Sequence, residues 1–400
     1  MSALYIHVPF CKSRCIYCDF YSTTGLELRQ RYVDAVCREM EVRGTRCKVR
    51  DARKDLRAES IETIYLGGGT PSQLTGDQLR QLFIYINKVY GLKQVHEVTI
   101  EANPDDVTEE FAKLLAELPV NRVSMGVQTF DNERLRFLRR RHTAEQIPVA
   151  VERLRKAGIT NISIDLMYGF PNETLDDWHR DIEAALRLDV EHLSAYALMY
   201  EEGTPLFRLL EQGKVTEVDE ELSLKMYGDL IDRLTAEGFE HYEISNFAKT
   251  ANLHDTKDDN SPSQNTQVHS YRSQHNSSYW NQTPYIGLGA AAHSYDGHRK
   301  RRWNCDDINR YIEGIENGEP QYETEELDDN TLYNERVMTA LRTCEGLDLN
   351  KLTPPYADHC RRQAQRFIDD GLLSRKNDQL RLTRRGLFVS NMVMSELMMV

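Results

Sequence analysis

Three cysteines at positions 11, 15 and 18 constrain this chain more than any other feature, because they place three thiols within eight residues. The run before them, Tyr5-Ile6-His7-Val8-Pro9-Phe10, reads as a first strand, so the thiols belong to the loop that leaves it. Three thiols so close in sequence cannot all pair with one another, and no fourth cysteine lies within eighteen residues. A disulfide account is therefore poor. Structural zinc wants four protein ligands, and the C-x3-C-x2-C spacing leaves one place to be filled, with His7 the nearest imidazole. An iron–sulfur cluster suits thiolates equally well. If three irons of a four-iron cluster take Cys11, Cys15 and Cys18, the fourth keeps a position that an amine and a carboxylate of a small molecule can fill.

Four hundred residues exceed one small core and suit a large barrel-like domain plus a smaller one. A net charge of -13 speaks against a nonspecific nucleic-acid binder and against a polybasic membrane patch. The chain runs almost at once into the cysteine loop, leaving no room for a signal peptide, and no apolar stretch approaches the ~20 residues of a membrane span. A cytoplasmic protein is expected. Cys37, Cys47, Cys305, Cys344 and Cys360 are scattered, as reduced thiols would be.

Short apolar runs recur at Leu4 to Val8, Ile61 to Leu66, Val98 to Ala102, Arg122 to Val127, Ile162 to Met167 and His192 to Leu198. Segments of helical spacing separate them, at Thr75 to Tyr90, Thr108 to Leu118, Thr143 to Ala157 and Leu175 to Leu188. Strands alternating with helices predict a parallel sheet, and six such units predict a full or partial barrel. The unusual residues follow the strands: Gly67-Gly68-Gly69-Thr70-Pro71, Glu101-Ala102-Asn103-Pro104, Gly126-Val127-Gln128 and Asp165 to Gly169. In a parallel barrel these ends share one face, where active sites are built.

The glycine run lets backbone approach a ligand closely, but it lacks the Lys-Ser/Thr of a phosphate loop and the spacing of a dinucleotide site. Glu101, Gln128, Arg140 and Asp165 offer carboxylates for an amine and for hydroxyls, an amide, and a guanidinium for a carboxylate. Taken singly, each is as well explained as a surface or capping residue.

The cysteine spacing and these strand-end residues resemble the radical S-adenosylmethionine (SAM) superfamily, in the branch of the coproporphyrinogen dehydrogenases and HemW-type heme chaperones. The resemblance implies a partial TIM-like (β/α)6 barrel with a [4Fe–4S] cluster on Cys11, Cys15 and Cys18. It implies SAM held by Tyr5, Tyr17, Gly68, Gly69, Thr70, Glu101, Gln128, Arg140 and Asp165. It covers most of the chain, through Arg342-Thr-Cys-Glu-Gly346 into the C-terminal part. Phe20 stands where the dehydrogenases carry a fourth cysteine, and their longer N-terminal arm is missing. His275-Asn276-Ser-Ser-Tyr279-Trp280 matches the H-N-x-x-Y-W signature of the HemW-type chaperones, which implicates His275, Tyr279 and Trp280 in binding heme. His293, after an alanine run, is a second candidate ligand, read as a packed core histidine.

The expected organisation is a barrel over 1–248, a polar and mobile insertion over 249–274, a heme-motif and connecting segment over 275–330, and a winged-helix-like domain over 331–400. Arg361, Arg362, Arg366, Arg375, Lys376, Arg381, Arg384 and Arg385 of that last domain could face DNA, but a solvated face or a domain contact suits so acidic a protein better. The leading expectation is a heme chaperone that passes heme to an acceptor protein and is reduced by a flavodoxin or ferredoxin. The alternative is an oxygen-independent coproporphyrinogen dehydrogenase, and a DNA-binding regulator stands third.

Overall fold

The computed structural model describes residues 2–46, 60–250 and 270–399. Each predicted apolar run falls on a strand, the last ending one residue early, before Leu198: β1 (Ser2–Val8), β2 (Ile61–Gly68), β3 (Glu97–Ala102), β4 (Arg122–Gln128), β5 (Asn161–Tyr168) and β6 (His192–Ala197). These six are neighbours in sequence order and pair parallel throughout. The helices between them start where the sequence supplies caps. Thr75 and Thr174 form capping boxes with Gln78 and Asp177, and Thr108 accepts from the backbone N–H of Phe111. The third helix begins at Gln146, later than the predicted Thr143, because the Gln146 side chain folds back to accept from Thr143 N–H and holds that stretch as a turn.

Inner faces of these helices, such as Leu79, Leu82 and Ile86 of Gly76–Val89 or Trp178 and Ile182 of Leu175–Arg187, are buried against Ile64, Ile100, Ile164 and Leu166 of the strands. Parallel strands covered in this way contribute about 1.5–3 kcal/mol per fully buried large apolar side chain. The α/β barrel architecture is the expected one.

The sheet does not stop at six strands. An antiparallel hairpin, β7 (Phe239–Glu243) and β8 (Asn246–Lys249), joins it beside β6. At the other edge β9 (Tyr285–Leu288) pairs parallel with β1, and β10 (His293–Tyr295), β11 (Lys300–Asn304) and β12 (Tyr322–Glu326) follow antiparallel. The segment expected to connect domains thus completes a sheet of twelve strands among the described residues. Its strands escaped the sequence pattern because their anchors are polar. Asn304 donates to Glu39 Oε1 at 3.0 Å and Arg43 donates to Ser294 Oγ at 3.1 Å, both partners of the barrel lying on the helix Arg29–Arg46.

Most of the expected insertion, 251–269, lies outside the described residues; Thr250 and Ser270 flank it in an antiparallel bridge. The C-terminal part packs helices Asp329–Leu341, Pro354–Asp369 and Ser390–Leu397 on a three-stranded sheet, β13 (Leu347–Asp348), β14 (Leu373–Lys376) and β15 (Gln379–Leu382). Val337, Phe367, Leu380 and Val393 form its own core. Its arginines meet acids: Arg361 with Asp358 at 3.1 Å, Arg366 with Glu396, Arg375 with Asp378, and Arg384 with both oxygens of Asp232 on the barrel, at 2.6 and 2.7 Å. Arg384 alone of these makes a domain contact; the other three pair within the C-terminal part. Among the described residues no helix is long and apolar enough to cross a membrane.

Candidate metal and ligand site

β1 ends at Val8, and the neck of the following loop is closed by backbone bonds from Thr23 N to Pro9 O at 2.7 Å and from Cys11 N to Thr23 O at 2.9 Å. Ile16, between Cys15 and Tyr17, is buried with Leu138, Met167, Phe170, Leu198 and Leu206. Pinned at both points, the loop carries Cys11, Cys15 and Cys18, all free thiols, to the wall of a cavity of about 260 Å³. Burial pushes the Cys11 thiol up and the Cys18 thiol up to about 11.

The remaining walls come from strand ends. Gly68 has φ of 113°, and a Cβ there would stand 2.5 Å from the His7 ring, so this position requires glycine. Beside it Gly69 N donates to Val8 O at 2.9 Å, which clamps the glycine run to the root of the cysteine loop. Glu101 accepts from Gly68 N at 3.1 Å and from Tyr65 OH at 2.7 Å. The register of β4 slips between Gly126 and Gln128, and Gln128 takes φ of 71°, a bulge that re-aims its side chain. Arg140 donates to Asn103 Oδ1 at 2.6 Å, to the Gly126 carbonyl, and to Cys15 Sγ at 3.6 Å. All the residues predicted for cluster and SAM, from Tyr5 and Cys11 to Arg140 and Asp165, line this one cavity.

Its electrostatics suit a zwitterionic, cationic ligand. Burial raises Glu101 to about 7, against the opposing bonds from Tyr65 and Gly68, and raises Asp165 to about 6. Arg140 Nε is buried with no hydrogen-bond partner, an unmet donor at the cluster end of the cavity. His7 is not free for a zinc ion: its Nδ1 meets Tyr5 OH at 3.1 Å and its Nε2 meets the Tyr21 carbonyl at 3.0 Å. Among the described residues no three His, Cys, Asp or Glu groups converge as about a single ion. A cluster asks for no such convergence, since each thiolate meets its own iron. The donor set and the unmet guanidinium fit a cluster with a small ligand beside it.

Sequence reasoning missed the residues that hold these groups in place. Asn103 bridges Arg140 to Thr70 Oγ1, which it reaches at 3.3 Å, and Tyr65 orients Glu101. Asn103 stands at a strand end already singled out, so its position was a usable signal; Tyr65 reads as one more aromatic in a strand.

The sequence matches the radical SAM superfamily over residues 5–185 and the HemN C-terminal domain over residues 327–389. It is 33% identical over 399 residues to the heme chaperone HemW of Bacillus subtilis, covering 98% of each chain. It is 30% identical over 404 residues to that of Lactococcus lactis, covering 100% of this chain and 97% of the other. The chain belongs to the HemW family. The Escherichia coli coproporphyrinogen III oxidase, a radical SAM enzyme, shares the fold, with a TM-score of 0.78 at 20% identity over 99% of this chain and 89% of that one. A radical SAM domain uses a [4Fe–4S] cluster and SAM.

The HemW signature residues lie elsewhere in this fold. They form the helix Gln274–Trp280, whose first N–H groups, Gln274 and His275, donate to Glu97 at 2.9 and 2.8 Å at the start of β3. That places the helix at the opposite end of the strands from the cysteines. His275 is buried; its Nδ1 meets Thr63 Oγ1 at 3.0 Å and its Nε2 meets Tyr279 OH at 2.9 Å. Burial lowers it to about 3, so it is neutral. Trp280 is half-buried with the Arg342 guanidinium 5.1 Å from its ring centroid. His293 is not the core histidine expected. It is exposed on β10, where the sheet has an open face.

Proposed function

We propose that this HemW-family protein binds heme and hands it to an acceptor protein, with a [4Fe–4S] cluster on Cys11, Cys15 and Cys18 and SAM in the adjoining cavity. The observation that carries this reading is the end-to-end likeness to the B. subtilis protein named a heme chaperone, 33% identical over 98% of both chains. Phe20 supports it from the structure: at the place of the dehydrogenases' fourth cysteine stands an apolar side chain, 67% exposed, on the cavity wall.

When bound, the cluster supplies electron transfer and an open iron position for SAM. The chain's own groups do the rest. Glu101 and Asp165 draw in the cationic ligand, Arg140 meets its carboxylate, and Gln128 takes a ribose hydroxyl. Tyr65 and Asn103 keep Glu101 and Arg140 in place through the bonds of 2.7 and 2.6 Å. Reduction by a flavodoxin or ferredoxin and a cytoplasmic location complete this reading. The helix Gln274–Trp280 belongs to the heme-binding part of this reading.

An anaerobic heme titration of the reconstituted protein, run beside an assay of coproporphyrinogen consumption, tests the proposal. Saturable heme binding near one per chain without consumption supports it. Consumption of coproporphyrinogen without heme binding refutes it in favour of a dehydrogenase.

A further inference from the structure

The chain carries a net charge of -13, yet the two segments that frame the cysteine cavity have the opposite sign. Residues 12–20 and 132–141 hold seven arginines and lysines against two acids, Asp19 and Glu133. The fold joins these segments: Ile16 N donates to Leu138 O at 3.3 Å, and Lys12 and Arg141 share Asp106, at 3.9 and 2.9 Å. Lys12, Arg14, Arg136 and Arg139 are exposed, and Arg136 meets only Glu133, at 3.9 Å. Arg14 and Arg139 make no ion pair or side-chain hydrogen bond among the described residues, and both line the cavity with Cys11, Cys15 and Cys18.

Arg139 stands at a strained position. The helix Asn132–Phe137 ends with Arg139 N donating to Arg136 O at 3.0 Å and Arg140 N to Leu135 O at 2.9 Å, the pairing of a Schellman turn. Arg139 takes φ of 60° there, where such turns usually hold glycine. The carboxylate of the small ligand is met by Arg140, which leaves the outer guanidiniums without a task inside the cavity. A guanidinium kept at a strained rim position and without a partner in its own chain points to a partner outside it. Phe20, 67% exposed, shares the wall with these charges, and an aromatic centre inside a charged rim is the composition of a protein-docking surface.

We propose that this rim is the docking surface of a negatively charged electron-transfer protein, with Lys12, Arg14, Arg136 and Arg139 meeting its acids and Phe20 its apolar centre. This rests on the cluster part of the proposed function and adds the surface through which the cluster is reduced. One electron leaves the docked donor and enters the oxidised cluster, so the donor is oxidised and the cluster reduced by one. The rim brings that donor directly over the three thiols, with no other part of the chain between them.

The test is anaerobic reduction of the cluster-loaded protein by a reduced flavodoxin of net negative charge, with the reduced cluster followed by electron paramagnetic resonance on rapidly frozen samples. Salt is varied from about 10 to about 150 mM, which shortens the Debye length from about 30 to about 8 Å. Binding of oxidised flavodoxin is measured beside it by surface plasmon resonance. Wild type is compared with the double variant Arg14→Glu, Arg139→Glu and with Phe20→Ser. Iron content, SAM binding and reduction by photoreduced deazariboflavin, which is uncharged, are measured on each. The wild-type rate constant should fall as salt is added, because attraction at the rim is screened, although both proteins are acidic overall. The double variant should lose at least about tenfold in rate and in affinity at low salt, and its salt dependence should reverse, with reduction by deazariboflavin unchanged. Phe20→Ser should weaken binding and keep the salt dependence of wild type. A flavodoxin that neither binds nor reduces wild type, a wild-type rate that rises with salt, or a double variant with wild-type rate and affinity overturns the docking surface. So does an equal loss with deazariboflavin, which would put the two arginines in the cluster's own surroundings. A wild-type protein that holds no reducible cluster refutes the underlying reading instead, which separates the two failures.

Discussion

Glu101 makes SAM affinity depend on pH in a calculable way. Burial raises its carboxyl to about 7, while Tyr65 and Gly68 donate to it at 2.7 and 3.1 Å. A cationic ligand binds the ionised form, and the ligand-free site is about 91% ionised at pH 8, about half at pH 7 and about 9% at pH 6 for a group titrating near 7. Affinity should therefore fall about tenfold from pH 8 to pH 6, about 1.4 kcal/mol. Asp165, raised to about 6, adds roughly twofold at the acid end. Unfolding does not explain such a loss: a carboxyl raised on folding adds stability as pH falls through its folded value, and that stability is lost as pH rises through it. Glu101→Gln keeps the shape and removes the charge, which should cost about 1.5–3 kcal/mol, or roughly 10- to 150-fold in affinity, at pH 8. The variant should keep only the twofold pH dependence of Asp165. Equilibrium dialysis of SAM against both proteins at the three pH values measures this. An unchanged tenfold slope in Glu101→Gln would refute the reasoning.

Four more substitutions follow from named contacts. Cys15→Ala removes one of the three thiols on the cavity wall and the acceptor of an Arg140 N–H at 3.6 Å, so reconstituted iron content should collapse while far-UV circular dichroism stays that of wild type. Gly68→Ala forces a side chain onto a backbone at φ of 113° and against a His7 ring fixed by two hydrogen bonds. It should cost about 2 kcal/mol or more in urea unfolding, and a loss near zero would show that the glycine run is not so tightly packed. Trp178→Ala empties a fully buried site and abandons the bond from Nε1 to Met226 O at 2.9 Å; about 3–5 kcal/mol is expected, against about 0–1 for Arg384→Ala at its exposed pair with Asp232. Comparable losses for the two would contradict the packing argument.

By itself the sequence determined the barrel and the chemistry at its rim. Strand and helix periods, threonine caps and strand-end glycines are local features, and they carried the cysteines, the glycine run, Glu101, Gln128, Arg140 and Asp165 to one cavity as predicted. Tertiary structure decided what depends on partners distant in sequence. The strands from Tyr285 to Glu326 hold by bonds such as Asn304 to Glu39, which leave no apolar pattern to read. Arg366 and Arg384 of the C-terminal part found acids distant in sequence, Glu396 and, on the barrel, Asp232. Most of all, burial placed two histidines against expectation: the sequence favoured His275 as the heme candidate and read His293 as a packed core residue. His275 is sealed among Thr63, Tyr279 and Glu97, whereas His293 lies open against Trp303, because accessibility is a property of what packs around a side chain and not of its neighbours along the chain.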